Sequence, residues 1–283
     1  MSRALLITHT HPVDDGVGDA IAATVAAASK AGVELVAPPD ELEKHPDAGL
    51  VAVEGEPADL GLDVCVVLGG DGSILHALRR MADTEVPVFG INYGTVGFLA
   101  ATERDELESG LQSAFAGDFE RMSLPALEVE APGGSARGLN DIGFTRHQRG
   151  RVAELSYRIA GEEVGSVRCD GLVAATPAGS TGYNLANGGP ILAWGVKGFA
   201  VSFISPHTLA ARALVVAPDD VLHVGNAAGR DPVEIAVDGE RFADLAPGEE
   251  VEVRFRDGVA VLAQSRGSSF YRRIREKFGQ LAH

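Results

Sequence analysis

Through the first third of the chain, short apolar runs alternate with segments whose apolar residues recur three or four positions apart. Ala4 to Ile7 precedes an alanine-rich helical pattern from about Gly16 to Ala31, and Val33 to Ala37 follows it. Val64 to Leu68 leads through a glycine turn into a helix counted from Ser73, with Ile74, Leu75, Leu78 and Met81 on one side. The strand Val86 to Ile91 and a helix near Arg104 to Phe115 continue the series. Strands this apolar are buried on both faces, which predicts an α/β region built on a parallel sheet.

After about Met122 the period changes to two, in Leu127 and Val129, in Val233, Ile235 and Val237, in Val251, Val253 and Phe255, and in Val259 and Val261. This half is read as β-rich. Turn signals separate its runs at Ala131 to Ser135, Ala246 to Glu250 and Arg256 to Gly258, the last expected as a tight hairpin. The chain closes on Ser268 to Leu281, a helix pattern whose Phe270, Ile274 and Phe278 are spaced to pack back on a domain.

With 283 residues, 45% of them hydrophobic, the chain can bury a sizeable core, and its length predicts two domains. The formal charge of -16, from 40 acidic against 24 basic residues, repels polyanions over about one Debye length, roughly 8 Å at physiological salt, which argues against a nucleic-acid partner. The charge itself is read as serving solubility. Two cysteines, Cys65 and Cys169, make no disulfide framework and have no metal-ligand spacing, which suits a reducing compartment. The opening MSRALLITHTH carries too short an apolar run for a signal peptide, and no stretch approaches the ~20 apolar residues that span a bilayer. A cytoplasmic protein with no membrane partner is expected.

Candidate chemistry starts at Gly69 to Gly72, GGDG, where a strand runs into a helix. Three readings compete. The turn is structural, since Asp-Gly is common in turns; or it is a dinucleotide fingerprint, although Leu75 stands where the third glycine belongs and Asp71 would face a pyrophosphate; or the backbone N–H groups of Gly69, Gly70, Gly72 and Ser73 hold phosphates while Asp71 faces an attacking hydroxyl or a magnesium ion. No GK[ST] sequence exists for a Walker loop. Only the third reading gives the carboxylate a task, because phosphoryl transfer to an alcohol needs a proton acceptor.

A second constellation is DGLVAATPAGSTGYNLANGGPIL, Asp170 to Leu192. Ser180, Thr181, Tyr183, Asn184 and Asn187 offer donors and acceptors suited to ribose, adenine and amide groups, and the interleaved glycines let the backbone bend around a ligand. The bland alternative is a surface loop.

These segments, with GINYGTVGFL at Gly90 to Leu99, LNDIGFTR at Leu139 to Arg146, SPHTLAARALVV at Ser205 to Val216 and VDGE at Val237 to Glu240, make the chain resemble the NAD kinases from about residue 63 to 240. The resemblance implies an α/β domain over 1–122, rejoined by a C-terminal helix over 266–283, and a β-rich, sandwich-like dinucleotide-binding domain over 123–265. It implies transfer of phosphate from ATP, or polyphosphate, to the 2′-hydroxyl of the adenosine ribose of NAD, in a homodimer or homotetramer whose neighbouring subunits contribute to the dinucleotide site. Asp71 matches the family's proton acceptor, with Gly72 beside it, and His76 falls where relatives carry a basic residue near the phosphates. Asn140 and Asp141 match the pair that holds the substrate; Arg151, Arg168 and Asp170 align with positions lining the site, and Thr181, Gly182, Tyr183, Asn184, Leu185 and Ala186 with the segment that wraps the dinucleotide. Glu240 replaces the glutamine that many relatives carry.

A divalent cation, Mg²⁺, is expected with ATP, because the triphosphate is strongly anionic and lysines are few. His207 is read as structural, Cys169 as a small buried residue, and Arg146 and Arg149 as a solvated charged loop. The rivals are a lipid kinase sharing the GGDG turn, which the polar Asp170 to Leu192 segment argues against, and a catalytically silent dinucleotide-binding protein, which would not need Asp71.

Overall fold

The computed structural model describes residues 1–9, 17–46, 48–94, 97–147, 152–227 and 231–279. The chain divides into two units, one formed by Met1–Ser123 with Val259–His283 and the other by Leu124–Gly258.

The first unit begins with strand β1 (Arg3–Thr8), helix α1 (Val17–Ala31), β2 (Glu34–Ala37), α2 (Pro39–Lys44), β3 (Val51–Ala52), β4 (Val64–Gly69), α3 (Asp71–Arg80), β5 (Pro87–Asn92), β6 (Thr102–Glu103) and α4 (Leu107–Ala116). β4 and β5 are buried at every position, as the apolar runs predict. Neighbouring strands pair in parallel, β5 with β4, β4 with β1, β1 with β2 and β2 with β3. One sheet face places Ala4, Leu6, Val64, Val66, Leu68, Phe89 and Ile91 against α1 and α4. Side chains alternate along a strand, so Gly90 faces the other side, where Ile74 of α3 packs on it. The buried stripe of α3 is Ile74, Ala77, Leu78 and Met81, the i, i+3, i+4, i+7 spacing of one helix face, and Leu75 is only half-buried.

The second unit contains β7 (Glu120–Ala131), which starts ahead of the boundary, β8 (Gly134–Gly138), β9 (Asp141–Arg146), β10 (Ala153–Ile159), β11 (Glu162–Cys169), β12 (Gly171–Ala175), the short helix α5 (Tyr183–Ala186), β13 (Phe199–Ile204), β14 (Leu214–Val216), β15 (Leu222–Asn226), β16 (Val233–Val237) and β17 (Glu240–Leu245). One antiparallel sheet runs β14, β13, β12, β9, β16, β17. A second antiparallel group runs β11, β10, β15 and then the first half of β18 (Glu250–Gln264). Inward residues of both sets, among them Phe144, Leu172, Leu155, Val224 and Val253, share one apolar core, which is the arrangement of a sandwich.

Two local expectations are corrected. Arg256 to Gly258 is no hairpin: β18 runs through it, and Gly258, at φ 68°, lies where the strand passes from the second unit to the first. Positive φ at an Asp-Gly pair accommodates a kink within a strand as well as a turn. Helix α3 starts at Asp71 instead of Ser73, with Gly70 as its extended N-cap residue, so the carboxylate belongs to the first helical turn. The second half of β18 pairs in parallel with β5, and helix α6 (Phe270–Phe278) follows, its N-cap Ser269 accepting a hydrogen bond from the Arg272 amide. Among the described residues no helix is long and apolar enough to cross a membrane.

The α3–β5 contact makes a direct prediction. A Cβ at position 90 would lie 2.4 Å from Ile74 Cδ1 and 2.8 Å from its Cγ1, in a fully buried setting. Gly90→Ala is expected to destabilise the first unit by about 1–3 kcal/mol, as overpacking does. Thermal unfolding checks this, and a melting temperature equal to the parent's would show slack packing under α3.

Candidate active site

The end of β4 and the start of α3 place the GGDG turn. The close approach of Ser73 leaves no room for a side chain at Gly69, where a Cβ would lie 2.6 Å from Ser73 Cβ. β4 ends at Gly69, Gly70 is the extended N-cap residue and the first turn of α3 opens at Asp71, whose turn's backbone N–H groups have no partner inside the helix, the kind of helix end that suits an anion. Gly72 and His76 are exposed, His76 one turn further on; Ser73 is buried, its hydroxyl 3.5 Å from His9 Nδ1.

Asp71 turns its carboxylate toward the loop after β5. Oδ2 accepts a hydrogen bond from the Phe98 amide at 2.7 Å and Oδ1 one from the Leu99 amide at 3.0 Å. A Cβ on Gly97 would come within 2.1 Å of Oδ1, so this approach requires glycine there. Each carboxylate oxygen has further acceptor capacity, and the residue is half-buried. Gly97, Phe98 and Leu99 were legible only as part of GINYGTVGFL, and nothing local marks them as partners of Asp71.

In the second unit, Asn140 and Asp141 stand at the start of β9. In the register, Asp141 pairs with Ala175 at the end of β12, and Ile142 with Val237 at the end of β16. Three chain segments therefore converge at one end of this sheet. Asp238 sits in the β16–β17 turn with φ 48°, and its carboxylate accepts from the amides of Leu139 at 3.0 Å, Asn140 at 2.7 Å and Asp141 at 3.1 Å. From the other side, Thr176 donates its amide to Asn140 O at 2.9 Å and its hydroxyl to Leu139 O at 2.6 Å. A Cβ on Gly179 would fall 2.0 Å from Asn140 O, so the loop lies directly on Asn140. Asp238 was missed by sequence reasoning; its signal is an Asp-Gly pair at a hairpin.

Two of the expected donors make hydrogen bonds within the loop itself. Ser180 and Asn184 are fully buried. The Ser180 hydroxyl donates to Pro177 O at 2.7 Å, and the Asn184 amide donates to Ser180 O and Pro190 O, each at 3.0 Å. These bonds brace the loop from within. Thr181, Gly182, Tyr183, Leu185 and Ala186 are exposed or half-exposed, and so is Glu240, the first residue of β17.

Asp170 lies at the opposite end of the same sheet, since Gly171 pairs with Thr145, and Arg168 stands two residues before it near the end of β11, where it pairs with Glu154 of β10. The six residues of β9 separate that end from Asp141 by roughly 17 Å. Arg146, expected as a solvated charge, instead grips Asp170 bidentately, Nε to Oδ1 at 2.7 Å and Nη2 to Oδ2 at 3.0 Å. Arg168 is exposed, and its carbonyl accepts the His207 amide at 2.8 Å. Arg149 and Arg151 lie outside the described residues. Burial pushes the thiols up, Cys65 to about 12 and Cys169 to about 11, which leaves them protonated and inert at neutral pH.

The α/β unit thus carries a glycine turn that opens a helix and bears a carboxylate held by backbone amides, and the β unit a polar loop over an Asn-Asp pair. Residues 22–119 match the ATP-NAD kinase N-terminal domain and residues 139–263 the ATP-NAD kinase C-terminal domain. An NAD kinase of Symbiobacterium thermophilum is 36% identical over 279 residues, 97% of each chain, and one of Gemmatimonas aurantiaca is 34% identical over 237 residues, 81% of this chain and 82% of that one. A solved NAD kinase from Archaeoglobus fulgidus in complex with ATP superposes with a TM-score of 0.74 at 25% identity, covering 99% of this chain and 98% of that one. A yeast NADH kinase complexed with NADH shares the fold, with a TM-score of 0.86 at 23% identity over 99% of this chain and 88% of that one. The chain belongs to the NAD kinase family and is an enzyme that phosphorylates NAD. Because the matches span both units, the lipid-kinase alternative, which rested on the GGDG turn alone, is set aside, as is a silent binding protein.

Burial, and then the charge of Asp238, raise the Asp141 carboxyl from 3.8 to about 7. The folded chain therefore binds this proton more tightly than the unfolded chain, and between pH 3.8 and about 7 stability falls as pH rises. Asp141→Asn removes the titrating group. The variant's stability relative to the parent is expected to be greater at pH 8 than at pH 5 by about 1–2 kcal/mol, after discounting for solvent screening. Unfolding at the two pH values checks this, and an equal difference at both would place Asp141 in an ordinary solvated setting.

Proposed function

We propose that the chain transfers the γ-phosphoryl group of ATP to the 2′-hydroxyl of the adenosine ribose of NAD, with Asp71 accepting the hydroxyl proton. The bond from the 2′ oxygen to the γ-phosphorus forms as the bond from that phosphorus to the β–γ bridging oxygen breaks, and the products are NADP and ADP. The observation that carries this reading is the carboxylate of Asp71, held on both oxygens by backbone amides in the first turn of a helix whose free N–H groups suit phosphate. Gly69, Gly70, Gly72 and Ser73 supply that turn and His76 an exposed group beyond it. The names of the relatives support NAD as acceptor, and the ATP complex of the Archaeoglobus fulgidus enzyme supports ATP as donor.

On the second unit, Asn140 and Asp141 hold the dinucleotide, and the Thr181 to Ala186 segment wraps it, through its backbone and the accessible side chains of Thr181 and Tyr183. Glu240 lies near the Asp238 turn and is read as a peripheral contact. The end of the sheet next to Asp170 is too far from Asp141 along β9 for one ribose to touch both, and Arg168 precedes Asp170 by two residues. We therefore read these residues as reaching the dinucleotide of a second copy, in a homodimer or homotetramer. Arg151 keeps the role implied by the sequence. Among the described residues no group of three or more His, Cys, Asp or Glu is placed to hold a metal ion. The divalent cation, taken as magnesium, is read as arriving with ATP, where it would offset the charge of the triphosphate. The substrates and the free, buried thiols fit a cytoplasmic enzyme.

Asp71→Asn retains size and helix geometry but removes the base. Its kcat is expected to fall about 10²- to 10⁴-fold, with a much smaller change in the KM for NAD, as an interaction used in the transition state requires. Steady-state kinetics on the folded variant check this, and a near-normal kcat would return the carboxylate to a purely structural role.

A further inference from the structure

We propose that Arg273, on the C-terminal helix, is a positioning residue for the carboxylate of Asp71, acting through the peptide that joins Phe98 to Leu99. The inference rests on Asp71 being the proton acceptor, and extends that reading to a residue about two hundred positions away in the chain that has no contact with the reacting atoms.

Arg273 Nη1 donates to Phe98 O at 3.1 Å. The same peptide group carries the Leu99 N–H, which donates to Asp71 Oδ1 at 3.0 Å. A cation thus holds the carbonyl end of one rigid peptide plane while the carboxylate accepts from its amide end, and the peptide dipole is aligned between opposite charges. Because the peptide is planar, a rotation that breaks one bond breaks the other. Polarisation along such a chain strengthens each member. Burial pulls the Arg273 guanidinium below the ordinary arginine range, and among the charges opposing this Asp71 is the strongest, followed by Glu103 and Glu276.

The neighbouring peptide is held in the same way. Leu99 O accepts from Gln264 Nε2 at 2.9 Å, and Gln264, 2% exposed, accepts from Arg273 Nη2 through its own Oε1. Ser268 Oγ accepts from Arg273 Nε at 3.3 Å and Nη2 at 3.1 Å, which fixes the guanidinium plane. The ring of Phe98 is gripped by α6 as well, with Lys277 Nζ 4.0 Å from its centroid and the Phe278 ring 5.9 Å away. Further along, Ala101 is anchored on both sides, its amide to Gly90 O at 2.7 Å and its carbonyl accepting from Ser265 Oγ at 2.6 Å. Phe270 is the one buried residue of α6. The helix therefore adds little to the core, and its polar bonds converge on the segment that presents Asp71.

A double-mutant cycle tests the proposal, with Arg273→Ala, Asp71→Asn and the pair assayed for NADP formation well below their melting temperatures. A carboxylate displaced by about an ångström loses up to about 10²-fold in rate. Arg273→Ala alone is expected to lower kcat about 10- to 100-fold with the KM for NAD within about threefold of the parent, and to lower kcat no further in the Asp71→Asn background. Arg273→Lys keeps the charge but not the fork that spans Phe98 O and Gln264; it is expected to lose less and to show the same non-additivity, and it carries the test if the alanine variant does not fold. A loss from the position 273 change that persists at full size on top of Asp71→Asn, or one confined to melting temperature, overturns the positioning role. A near-normal kcat in Asp71→Asn alone instead overturns the proton-acceptor reading, so the two failures are distinguishable.

Discussion

A carboxylate in the first turn of a helix has to be held in place without being neutralised if it is to accept a proton, and the hydrogen bonds from the Phe98 and Leu99 amides to Asp71 meet that constraint. Backbone amides supply donors without adding a proton-transferring group, and they are fixed by the fold. β4 and β5 are adjacent and parallel, with Gly69 in register with Asn92, so the segments leaving them emerge side by side at the carboxyl end of the sheet. That end is where open α/β sheets bind ligands. Gly97 then permits a contact that any side chain would block.

The second unit uses the same device for a different purpose. Asp238 collects three successive amides at Leu139, Asn140 and Asp141, which fixes the turn into β9 and presents the two side chains that follow. The charge that organises the turn also opposes ionisation of Asp141 beside it. One acidic residue is thus satisfied by backbone donors, and its neighbour is left with a proton affinity near neutrality. Thr176 and Gly179 complete the arrangement by laying the glycine-rich loop on Asn140.

The layout of the fold was legible because it rests on periodicity. The buried strands of the parallel sheet, the Ala-rich α1 and the alternating β half follow from which positions are apolar, and the contiguous motifs pointed to the family. What escaped were relations between residues distant in the chain. Arg146 reads as a loop charge until β9 and β12 pair and bring it onto Asp170. Ser180 and Asn184 read as ligand donors by residue type, and nothing local shows the hydrogen bonds that both donate within the tight loop. Asp257 and Gly258 carry the composition of a hairpin, but the strand continues through them because partners exist on either side of the kink, β15 before it and β5 after it. Gln264 and Arg273 carry no local sign of a link to Asp71.

The central claim is that this carboxylate-bearing turn phosphorylates the 2′-hydroxyl of NAD from ATP, and product identification tests it most directly. Purified protein is incubated with NAD, magnesium and ATP, and the products are measured with an NADP-specific dehydrogenase alongside a separate assay for ADP. NADP and ADP are expected in equal amounts. ATP consumption without NADP, or a phosphorylated dinucleotide that the NADP-specific enzyme does not accept, would contradict it.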